Sequence, residues 1–135
     1  MNEPVSILDR LQPTAQDDSA EIDVYSEGED YRAFGFSRKP IASDPMIDFI
    51  DRHGVHEALS YSHLYRIRFD PSEGMTLEFT DHIVTLRGHH LQKGHQRLTM
   101  HRVVFIAEAD HATAALVTAD EPVITSLALE LKRNQ

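Results

Sequence analysis

From about residue 31 onward the chain alternates apolar and polar positions in short runs separated by turn residues, the pattern of half-buried strands. Residues 31–37 (YRAFGFS) form the first run, aromatic-rich, and Arg38, Lys39 and Pro40 end it. Between His63 and Asp70, Tyr65, Ile67 and Phe69 alternate with Leu64, Arg66 and Arg68; Met75, Leu77 and Phe79 repeat the pattern in the next run. Asp70-Pro71-Ser72-Glu73-Gly74 separates the two and has turn composition, proline fixing φ and glycine permitting a positive φ. A symmetric turn there predicts a hairpin that pairs Ile67 with Leu77 and Tyr65 with Phe79 and sets Arg66 opposite Glu78. Thr80, Asp81 and His82 then turn the chain into a third strand over 83–87, which makes an antiparallel meander.

Residues 88–101 are expected to be helical, with an apolar stripe of Leu91, Leu98 and Met100, although Gly94 costs about 1 kcal/mol relative to alanine inside a helix. The continuous apolar run Val103 to Ala107 predicts a central strand buried on both faces. A short helical turn is expected over 112–117, and a last strand over 122–131 with Val123, Thr125, Leu127, Leu129 and Leu131 on one side. Residues 46–62 read in two ways. Pro45 at a first helical position and Gly54 just past the end fit a helix over 46–53. Ile47 and Phe49 alternating with Asp48, then Leu59 and Tyr61 in step beyond His53-Gly54, fit a hairpin, which is favoured because it runs into the meander without a long connection. The expected fold is therefore α+β and β-rich: an antiparallel meander forming a curled sheet or small barrel, with one packed helix at about 88–101, in a single domain over 31–135.

Charge divides the chain differently. Of a net charge of −9 over 135 residues, residues 1–30 carry nine acids against one base, so the rest is close to neutral. An acidic, apolar-poor leader of this kind is expected to stay solvated, because it buries too little surface to offset the entropy of ordering. No stretch in it has the basic-flanked apolar core of a secretion signal, no run in the chain is long enough to span a bilayer, and a cytoplasmic location is expected. The absence of cysteine removes disulfides, thiolate catalysis and cysteine-ligated metals.

Residues 82–107 contain no acid, where simple proportion predicts about four, and five of the nine histidines, where it predicts about 1.7. This basic, histidine-rich face over about 82–102 is the candidate binding surface, through Arg87, His89, His90, Lys93, His95, Arg97, His101 and Arg102. Its expected partner is a protein or the chain's own acidic leader. A phosphate or nucleic-acid ligand is the alternative, with affinity falling steeply as salt rises. Protonation of the histidines near pH 6.5 would make the face more cationic in mild acid. The gaps from His90 to His95 and from His95 to His101 match neither i+3 nor i+4, so no metal is assigned, and no cofactor is implied.

Arg66 and Arg68 beside Thr76 and Glu78 read either as a polar ligand platform or, as favoured, as ordinary cross-strand pairing. The turn 70–74 resembles DxSxxG, one half of the cyclic-dinucleotide signature of PilZ domains, but is one residue short, and the chain has no RxxxR, so it is read as a plain hairpin turn. No GxSxG, GxxxxGK[ST] or GxGxxG occurs. A small enzyme of unnamed reaction is accordingly the last alternative. An open sheet edge covered by a second copy of the chain is also expected as a route to a homodimer.

Overall fold

Two four-stranded sheets share the apolar alternation between them in the computed structural model, which describes residues 31–39 and 44–133. The acidic leader over 1–30 lies outside the described residues. The elements run β1 (Phe34–Phe36), β2 (Met46–Ile50), β3 (His56–Ser60), a 3-10 turn (Tyr61–His63), β4 (Leu64–Asp70), β5 (Gly74–Phe79), β6 (His82–His89), α1 (Gln92–Thr99), β7 (Val103–Ala107), α2 (His111–Leu116) and β8 (Val123–Leu131). One sheet has the order β1-β7-β2-β3 and the other β4-β5-β6-β8. The fold is thus β-rich α+β, and the sheets stay open rather than closing into a barrel. Pairing is antiparallel except between β2 and β7, which run parallel because the chain crosses from the second sheet back into the first.

One core lies between the sheets. Ile47, Phe49, Val103 and Ile106 from the first meet Met75, Leu77, Phe79, Val84, Leu86 and Ile124 from the second. Phe49 and Phe79 join the layers edge to face, their centroids 6.1 Å apart. The strand 103–107 is central in its sheet, flanked by β1 and β2. A tyrosine hydroxyl holds each of its ends. That of Tyr61 donates to the Val103 carbonyl (2.7 Å) and accepts from the Val103 amide (3.0 Å). That of Tyr31 donates to the Ala107 carbonyl (2.6 Å) and accepts from the Ile124 amide (3.0 Å), tying the first sheet to β8 of the second.

The hairpin reading of 46–62 is the observed one: Ile47 pairs with Leu59 and Phe49 with Glu57, and the Asp51 carboxylate accepts from the His53 and Val55 amides in the turn. The 70–74 hairpin also forms, with Ile67 opposite Leu77 and Arg66 opposite Glu78, 3.9 Å apart as an ion pair. The expected pairing of Tyr65 with Phe79 is wrong. A bulge at Tyr65 brings Leu64 opposite Phe79, turns Leu64 toward the core and leaves Tyr65 62% exposed. A second bulge, at Thr125, breaks the phase of the last strand, so Ile124 rather than Thr125 joins Leu127 and Leu129 on the core side, and Leu131 at the strand end is exposed.

The helix is shorter than expected. Gly88 and His89 finish β6, paired with Ile124 and Val123, and a Cβ on Gly88 would lie 1.9 Å from the Val123 carbonyl oxygen. That close approach keeps residue 88 in the sheet, and His90, at φ 60°, makes the turn into α1. The interior Gly94 has its own reason: a Cβ there would stand 2.3 Å from the Phe34 ring, so only glycine lets the helix lie down on β1.

Candidate functional site

Helix α1 carries the centre of the candidate face, and its geometry divides that face. Leu98 and Gly94 point inward, and the helix packs on β4 and β7. Lys93 and Arg97, one turn apart, share an outer side above Phe36, with Lys93 Nζ 5.7 Å and the Arg97 guanidinium carbon 6.0 Å from the ring centroid. Phe36 in turn stacks on Phe34 at 5.8 Å. The alternation that buries Phe34 beneath Gly94 therefore presents Phe36 to the two cations.

The junction beyond the helix adds more positive charge. The Ser37 amide donates to the Arg102 carbonyl (2.7 Å), and the Arg102 amide donates to the Arg97 carbonyl (2.9 Å), so the end of β1, the end of α1 and the start of β7 meet. Exposed Arg38 lies two residues past the end of β1, and the Arg102 Nε is buried with no hydrogen-bond partner among the described residues. The ion pairs formed among the described residues, Arg52–Glu108, His56–Asp48, Arg66–Glu78 and His82–Glu57, include none of Arg38, Lys93, Arg97 or Arg102.

The histidines do not join this platform. His95, two residues and so roughly 200° around the helix from Lys93, stacks on Phe69 of β4 at 5.4 Å. His101 sits at φ 58° past the helix end and stacks on Tyr61 at 4.4 Å. His90 bonds through Nε2 to the Ala119 carbonyl, and His89 is exposed at the end of β6. Arg87 belongs to the outer face of the second sheet, its Nη1 3.4 Å from the Glu73 carbonyl. Among the described residues no three histidine, aspartate or glutamate side chains are placed to hold a metal ion. The sequence window thus unites residues that the fold distributes over three surfaces. It also omits Phe36, although the alternation of Phe34 and Phe36 just before Arg38 and Lys39 signals it.

At the other end of β7 charge is satisfied internally. The Glu108 side chain, 6% exposed, accepts from the Arg52 amide (2.9 Å), Arg52 Nη2 (2.8 Å) and the Leu127 amide (3.2 Å). Arg52 Nη2 also reaches the Thr125 carbonyl at 3.2 Å. The hydrogen bond from Arg52 to Glu108 raises the guanidinium pKa further. Asp110 caps α2 through the Thr113 amide (2.7 Å), and that bond holds its carboxyl below the usual aspartate range. Asp51 is lowered first by the Val55 amide and Asp70 first by the Ser72 hydroxyl, both within turns. Burial pushes the Tyr61 phenol well above its ordinary value and keeps it neutral as the double partner of Val103.

Among the described residues no helix is long and apolar enough to cross a membrane. No protein-family model, curated protein or solved structure matches the chain, so its function must be read from these side chains.

Proposed function

We propose that the protein is a non-enzymatic binding module whose platform of Phe36, Lys93 and Arg97, flanked by Arg38 and Arg102, takes an acidic peptide segment. The observation that carries this reading is the pair of cations held over one aromatic ring with no carboxylate of the described residues within ion-pair distance. Elsewhere on the described surface Glu108, Asp48, Glu78 and Glu57 each meet a cation or imidazole. A guanidinium laid on a ring keeps its outward N–H donors in the planar fork that matches a carboxylate. The chain's own residues 1–30, with nine acids, have complementary charge and provide the natural probe.

A fluorescently labelled peptide of residues 13–30, titrated into the protein with and without residues 1–30, tests the reading by anisotropy. The shortened chain is expected to bind the peptide, more weakly as salt rises, and a Lys93→Glu/Arg97→Glu variant to lose binding while unfolding at the same denaturant concentration. Peptide affinity indifferent to both the salt and the charge reversal would overturn it. Preferential capture of a single-stranded oligonucleotide by the same residues would replace the peptide with nucleic acid.

A further inference from the structure

A second surface, on the outer face of the other sheet, is independent of the helix platform. Register places Arg68, Thr76 and Thr85 side by side across β4, β5 and β6, and Arg87 stands two residues along β6 from Thr85, hence on the same face. These four line a cleft of about 350 Å³ that opens beside the 70–74 turn. That volume is at the lower end of the range of about 300–1,000 Å³ typical of small-molecule sites. Thr76 and Thr85 are half-buried, so their hydroxyls form a floor, and the two arginines are exposed on its walls.

The acids around this cleft do not occupy the guanidinium groups. The Asp70 carboxylate accepts from the Ser72 amide (2.9 Å) and hydroxyl (2.8 Å), and this turn bonding keeps it ionised. Glu73 offers its main-chain carbonyl to Arg87, not its carboxylate. Among the described residues neither Arg68 nor Arg87 forms an ion pair. Two guanidinium forks and two hydroxyl donors converging on one polar cleft form the donor set that a tetrahedral oxyanion takes, with bidentate arginine bonds to its oxygens.

We infer that the Arg68–Thr76–Thr85–Arg87 cleft binds the phosphate group of a small phosphorylated molecule. The cleft of about 350 Å³ is larger than a bare anion requires, which favours a phosphate monoester whose organic part fills the remaining space. Binding by the helix platform is not required for this site.

The test is an amide NMR titration of the intact protein with phenyl phosphate and, separately, inorganic phosphate, at constant ionic strength. Saturable shifts centred on Thr76 and Thr85 are expected, with phenyl phosphate the tighter ligand. Arg68→Gln and Arg87→Gln should each weaken binding by tenfold or more, and Glu73→Gln should tighten it severalfold. All three residues are at or near the surface, so their variants should unfold at the parent denaturant midpoint, and Lys93→Glu/Arg97→Glu should leave phosphate binding unchanged. Shifts that never saturate, or that persist equally in an Arg68→Gln/Arg87→Gln double variant, would overturn the site. Binding of inorganic phosphate with exclusion of phenyl phosphate would overturn the assignment to an organic ligand.

Discussion

The two ends of β7 treat charge in opposite ways. At its C-terminal end Glu108 gathers the β2–β3 turn and β8 into one bonded cluster, with Arg52 and the Leu127 amide as its partners. At its N-terminal end Arg102, Arg97 and Lys93 pair with no carboxylate of the described residues, and two of them stand over the Phe36 ring. Both ends are pinned by a tyrosine hydroxyl, so the difference does not come from how well the strand is anchored. Charge at the Glu108 end holds the fold together; charge at the Arg102 end meets no carboxylate among the described residues and is what the proposed acidic peptide would engage.

Mutation should separate the two ends. Glu108→Ala leaves the Leu127 and Arg52 amides without their acceptor and the Arg52 guanidinium with only the Thr125 carbonyl, and is expected to cost about 3 kcal/mol of stability in a urea titration, with peptide binding unchanged at temperatures where the variant is folded. Gly94→Ala, ordinarily stabilising inside a helix, should here cost about 1–3 kcal/mol, because the new Cβ meets the Phe34 ring. It should weaken peptide binding too, since lifting the helix moves Lys93 and Arg97 off Phe36.

Acid should loosen the turns and the α2 cap before it touches the cations of the platform. The folded-state pKa values of Asp51, Asp70 and Asp110 lie below the ordinary 3.8, so their contribution is fully present above about pH 4 and is lost as pH falls through the folded values. From these three carboxylates a urea midpoint that falls below about pH 4 is expected. The smallest effect belongs to Lys93→Gln/Arg97→Gln, which should shift stability by less than about 0.5 kcal/mol yet weaken the peptide at least tenfold.

Local signals were sufficient for much of the fold. The turn residues 70–74 and the alternation around them specify the β4–β5 hairpin down to the Arg66–Glu78 pair, and the same reasoning resolves 46–62 as β2 and β3. Bulges at Tyr65 and Thr125 escaped because one extra residue shifts the phase without changing composition. The division into two sheets escaped because nothing in VVFIA records that β7 leaves the meander to lie parallel to β2. At the candidate site, counting acids leads to helix α1 but does not separate its faces. A window of residues is contiguous in sequence, whereas a helix turns successive side chains by about 100°, which sends His95 to Phe69 and Lys93 to Phe36. Arg68 and Thr76, which the sequence offers as cross-strand neighbours or as a polar platform, line a cleft only when β6 brings Thr85 and Arg87 beside them.

The most direct test of the contrast between the two ends is to map the bound acidic peptide by amide NMR on the chain lacking residues 1–30. Shifts at Phe36, Lys93, Arg97 and Arg102, with Arg52, Glu108 and Leu127 unmoved, are the predicted result. Shifts centred on Arg52 and Glu108, or no saturable shifts anywhere, would contradict it.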